Sequence, residues 1–145
     1  ALAEGAGKKV VPACSLLALA TPFLDGERTL VPLIRARKGQ VYFSVIGGEA
    51  KRPVIISPPV ISPVHSLLTM EGLNARRFIL ADGDPRLRQD LSGTGILLSL
   101  TGYIRGGAVA QLGAFSLDKA VEPGEARALY IRDPDTGPSR GEEVK

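Results

Sequence analysis

The chain has 145 residues and a mass of 15.3 kDa, with 44% hydrophobic residues, 23% charged residues and a formal charge of +3. A domain of that size can bury its own core, so neither disulfides nor a structural metal is needed for stability. One cysteine, Cys14, and one histidine, His65, exclude a disulfide framework, a cysteine-based zinc cluster and any site needing two imidazoles.

In chain order, residues 1–19 read as an extended N-terminal arm. They are rich in Ala, Gly and Leu, and Gly5, Gly7 and Pro12 interrupt any helix long enough to stand alone. The body is assigned to residues 20–132, where turn signals recur about every 8 to 12 residues, the spacing of a β-sandwich or barrel. Asp25-Gly26 is a hairpin signal, Lys38-Gly39 turns the chain into the strand QVYFSVI, and Gly47-Gly48 ends that strand. Arg52 to Val64 alternates β-branched residues with Pro53, Pro58, Pro59 and Pro63. Proline cannot donate to a ladder, so this segment is expected as an edge strand or a polyproline-like strap. Asp84 followed by Pro85 predicts a short helix with Asp84 as cap, and 65–74 is a second place for a helical turn. Gly95 to Leu117 reads as a hairpin about a Gly106-Gly107 turn, with Ile96, Leu98, Leu100, Ile104, Val109, Phe115 and Leu117 on its core face. A last strand, ARALYIR, follows Pro123-Gly124. Residues 133–145, DPDTGPSRGEEVK, form a tail with too little apolar surface to order by itself.

The chemistry of sites is sparse. A hydrolytic triad needs a nucleophile, an imidazole and a carboxylate, and His65 could pair with Ser66, Ser92 or Cys14. No serine stands in a nucleophile elbow, so His65 is read as structural or solvent-facing and Cys14 as a small hydrophobe. Asp133 and Asp135, like Asp82 and Asp84, open calcium-loop patterns that fail at Val144 and Arg86. No phosphate loop is present, no run of about 18 apolar residues could span a membrane, and no catalytic residue, cofactor or metal site is assigned. The arginines, twelve against six lysines, are dispersed, and aromatic residues are only 5% of the chain. Salt bridges to protein surfaces therefore suit them better than a nucleic-acid groove. The single Asn, three Gln and one Met, with 28 Gly and Pro, fit a thermophilic source or a GC-rich genome.

The segment ATPFLDGERTLVPL, residues 20–33, resembles the entry to the folded region of head-decoration proteins of lambda-like tailed phages, through Thr21, Pro22, Leu24, Asp25, Arg28, Leu30 and Val31. The resemblance implies a mostly β, β-tulip-like body in a homotrimer on the capsid exterior, without enzymatic activity, whose arms grip the major capsid protein or another shell protein. Together these readings give an all-β, barrel-like body with short helical turns, an extended arm and a tail. The expected function is a structural protein of the virion that stabilises a shell, with self and shell protein as partners and neither membrane nor nucleic acid. The candidate interface comprises Val10, Val11, Leu16, Leu17, Leu19, Val54, Ile56, Val60, Arg76 and Arg77. A β-barrel module binding a ligand or glycan in a secreted or cell-surface assembly is the alternative, and an Arg-mediated nucleic-acid binder a second one.

Overall fold

In a computed structural model of the chain, residues 2–69, 77–96 and 98–127 are described. The elements in chain order are α1 (Leu2–Gly5), α2 (Ser15–Ala20), β1 (Thr29–Arg35), β2 (Gln40–Glu49), β3 (Arg52–Pro63), β4 (Arg77–Asp82), α3 (Pro85–Leu91), β5 (Leu100–Gly102) and α4 (Gly106–Ala114), with 3₁₀ turns at Thr21–Phe23, Val64–Thr69 and Leu117–Lys119. The five strands form one open sheet in the order β3-β2-β1-β4-β5. β1, β2 and β3 pair antiparallel, whereas β4 pairs parallel to β1 and β5 parallel to β4. The fold is mixed α/β, which corrects the expectation of an all-β barrel or β-tulip.

Strand alternation divides the core between the two sides of the sheet. On one side Val31 and Leu33 of β1 and Val41, Phe43 and Val45 of β2 pack with Leu87 and Leu91 of α3 and with Val64 and Leu67. On the other, Leu30 and Ile46 pack with Leu16, Leu19 and Ala20 of α2 and with Leu24. The helix α2 is the central departure from the predicted extended arm. Its sequence, SLLALA, has high helix propensity, and six residues hold as a helix because Leu16, Leu19 and Ala20 are buried against the sheet. Packing supplies the order that propensity alone could not.

Several local expectations hold. Gly39 takes φ +71 in the turn joining β1 to β2. The proline-rich segment is β3, an edge strand. Asp84 caps α3, its carboxylate accepting from Arg86 N–H at 2.8 Å, and Pro85 stands in the first turn. The turn at Asp25-Gly26 is also present, with Asp25 accepting from the N–H groups of Glu27 and Arg28, but it links the 3₁₀ turn of Thr21–Phe23 to β1 and not two strands. β2 runs on through Gly47-Gly48 and reverses only after Glu49. Its register with β3 shifts around Ser44, whose hydroxyl donates to Ser57 O at 2.6 Å while Ser57 Oγ accepts from Val45 N–H. Of 65–74, residues through Thr69 are in a 3₁₀ turn, and 70–76 lie outside the described residues, as does 128–132 of the expected last strand.

The predicted hairpin of Gly95 to Leu117 does not form. Leu100–Gly102 pairs with β4, and from Gly106 the chain is helical, with neither Gly106 nor Gly107 in the positive φ region a primed hairpin turn requires. Ala108 and Leu112, four residues apart, form the buried side of α4 and face α2.

Candidate protein-docking surface

Among the described residues, two groups of exposed apolar side chains remain after the core is formed. The first is carried by the end of β5, α4 and the turn after it: Tyr103, Ile104, Val109, Phe115 and Leu117, the last two 50% and 68% exposed. Four of these five belong to the set that strand alternation assigns to a core. The helix turns Ala108 and Leu112 inward instead, and leaves the others exposed. Tyr103 lies across Gly83, where an added Cβ would collide with its ring, and Gly102 leaves room in the same way for Phe23. Two glycines at the ends of adjacent strands thus let aromatic rings lie directly on backbone.

The second group lies on the edge strand β3: Val54, Ile55, Ile56 and Val60. The hairpin tip between β2 and β3 connects the two regions, because Gln111 of α4 donates from Nε2 to Ala50 O at 3.3 Å. Beside that tip lies a shallow depression of about 310 Å³ lined by Leu24, Asp25, Glu49, Ala50 and Lys51. Its Asp25 carboxyl is held below the ordinary carboxylate value, first by the backbone N–H of Arg28 and further by Glu27 N–H and the Arg28 guanidinium, against the opposing effect of burial. The depression joins carboxylates and an ammonium on open surface and contains neither the histidine nor the cysteine.

The candidate interface residues read from sequence are not brought together. Leu16 and Leu19 are core, and Leu17 is half-buried against the same cluster. Val10 exchanges two backbone hydrogen bonds with Val121, both at 2.9 Å, and Val11 is half-buried. Val54, Ile56 and Val60 are exposed together on β3. Arg77 is the first residue of β4, opposite Thr29 of β1, and Arg76 lies outside the described residues. His65 is exposed in the turn after β3 and Cys14 is half-buried beside α2. Among the described residues no group of three or more His, Cys, Asp or Glu is placed to hold a metal ion, and no helix is long and apolar enough to cross a membrane. The surface residues 103–117 were hidden from sequence reading by their period. Counting by twos gives a plausible strand, whereas counting by fours picks out Ala108 and Leu112.

No protein-family model and no curated protein matches the chain. Solved structures do match its fold. One is described as an uncharacterized protein with similarity to peptidase YEAZ from Pseudomonas aeruginosa, with a TM-score of 0.66 at 16% identity over 90% of this chain and 62% of that one. Another is YeaZ from Pseudomonas aeruginosa, with a TM-score of 0.65 at 16% identity over 89% of this chain and 63% of that one. The chain therefore spans somewhat less than two thirds of these neighbours. At this identity the likeness concerns the fold, which is YeaZ-like. It overturns the resemblance to phage head-decoration proteins, and with it the shell-stabilising function and the virion location. The alternatives, a secreted or cell-surface β-barrel module and an Arg-mediated nucleic-acid binder, have no support either.

Proposed function

We propose that the chain is a protein-docking unit built on a YeaZ-like α/β fold, binding protein through the surface of β5, α4 and the turn that follows. The observation that carries this reading is the exposure of Tyr103, Ile104, Val109, Phe115 and Leu117 within fifteen consecutive residues. Scattered exposed apolar residues are ordinary on a soluble domain, but a run of large ones on one element and its flanks marks an interaction site. Aromatic residues in such a set are the usual anchors of protein interfaces. The occupant proposed is a second copy of the chain, since two copies meeting on this surface would bury the same apolar set from both sides.

The description of one neighbour as similar to a peptidase supplies a competing reading. On this chain it would fall to the single histidine, His65, which stands exposed beside Ser66. Hydrolysis of a fluorogenic casein substrate that is abolished in His65→Ala would establish that reading. For the docking reading, light scattering over a concentration series is the test: mass should rise with concentration and the rise should be lost in Phe115→Asp.

A further inference from the structure

We propose that two copies of the chain meet with α4 antiparallel to its counterpart about a two-fold axis at Ala110, and that Arg105 of each copy pairs with Asp118 of the other. Resting on the docking reading, this pairing selects one way of burying the same apolar surface. α4 turns Ala108 and Leu112 inward, so Ala110, two residues from each, stands diametrically opposite them. Gly106 and Ala114 lie about one turn to either side on the same outward line, and all three are exposed. A helix facing water carries polar side chains along that line, whereas this one carries glycine and alanine there. Small residues let a second helix approach closely, with Val109 and Phe115 flanking the contact.

Polar groups at the two ends of α4 decide between antiparallel and parallel arrangements. Arg105 is the N-cap residue, and its side chain makes no capping hydrogen bond. The N–H groups of the first turn and the Arg105 guanidinium thus form one electropositive end, with open space around Gly106 and Gly107. Asp118, exposed in the 3₁₀ turn Leu117–Lys119, stands beyond the other end. Among the described residues neither Arg105 nor Asp118 makes an ion pair within the chain. A two-fold axis at Ala110 sets Arg105 of one copy opposite Phe115 of the other. Asp118 stands three residues further on, roughly 6 to 10 Å for a helical or an extended step, which the arginine and aspartate side chains span together. Lys119 is rotated by about 120° from Asp118 around the 3₁₀ turn, so the two side chains do not share a direction. The contact is isologous, so two equivalent pairs form, and each brings a carboxylate to an electropositive helix end. A parallel arrangement would set Arg105 against Arg105 and Asp118 against Asp118.

Sedimentation velocity on the full chain tests the pairing through charge reversals. Arg105→Asp and Asp118→Arg should each weaken self-association by about tenfold or more, since each sets two like-charge pairs across the axis. An equimolar mixture of the two variants should associate within about threefold of the parent chain, because every cross-copy pair is then opposite in sign. The chain carrying both substitutions should recover in the same way, and association of the parent should weaken with salt. Both positions are exposed, so thermal midpoints should match that of the parent, and recovery in the mixture shows both variants to be folded. In a Cys14→Ser background, Ala110→Cys should cross-link two copies on mild oxidation and Gly106→Cys should not, as Ala110 meets its own counterpart at the axis while Gly106 meets Ala114. Self-association that Phe115→Asp abolishes but both reversals leave unchanged would overturn the antiparallel pairing and leave the docking reading in place. So would weakening by each reversal without recovery in the mixture, or cross-linking through Gly106→Cys. A parent chain that stays monomeric, or that binds phosphatidylcholine vesicles through Phe115 in place of a second copy, would overturn both.

Discussion

Arg35, the last residue of β1, donates from Nε to Oδ2 of Asp90 in α3 at 2.8 Å, so one ion pair fastens the helix to the end of the strand beneath it. Asp90 lies below the ordinary carboxylate value of 3.8, because of the Arg35 hydrogen bond first, then the Gly39 backbone N–H and the charges of Arg35 and Lys38, with desolvation opposing. A lowered carboxyl contributes stability that is present above its unfolded value and is lost as pH falls through the folded one.

Asp90→Asn should therefore lower the thermal midpoint near neutral pH, and the gap from the parent chain should narrow as pH drops below 3.8. Midpoints measured by circular dichroism across that interval check the sign. A gap that stays constant into strong acid would mean that Asp90 contributes no pH-dependent stability.

Leu19 has no exposed surface, whereas Ile56 has more than half of its own exposed. Leu19→Ala should cost about 2–5 kcal/mol in urea unfolding, the ordinary cost of a large cavity in a core. Ile56→Ser should stay within about 0.5 kcal/mol. Equal small effects at both positions would deny α2 its place in the core.

Gly107 and Gly48 should respond to alanine in opposite directions. Gly107 is helical with open space around it, so Gly107→Ala should stabilise the chain by about 0.5 kcal/mol. Gly48 has φ +84 and an added Cβ would come 2.5 Å from Arg52 O, so Gly48→Ala should destabilise it by about 1–3 kcal/mol. If Gly107→Ala destabilises as a left-handed turn position would, residues 103–109 form the hairpin that sequence alternation suggests.

What could be read from sequence was local. Asp84 before Pro85 specifies a helix start by hydrogen bonding and fixed φ, and the prolines of 53–63 confine that segment to an edge, whatever the rest of the chain does. What could not be read depended on partners distant in sequence. SLLALA becomes α2 only because Leu30 and Ile46 offer it an apolar surface, and nothing within residues 1–20 announces that sheet. The segment from Gly95 to Leu117 departs from its expected hairpin for a related reason. Its apolar residues satisfy two periods at once, and the choice between them is made by the packing of Ala108 and Leu112 against α2. The α4 docking surface emerges only when that choice is known, because the residues a strand would bury are those the helix leaves exposed.

Light scattering on the full chain from micromolar concentration upward, beside Phe115→Asp and Leu117→Asp, decides whether the surface around α4 binds a second copy. Mass should rise with concentration in the parent chain, and both variants should stay monomeric with an unchanged thermal midpoint. A parent chain that stays monomeric across the series, or association that neither substitution alters, would contradict it.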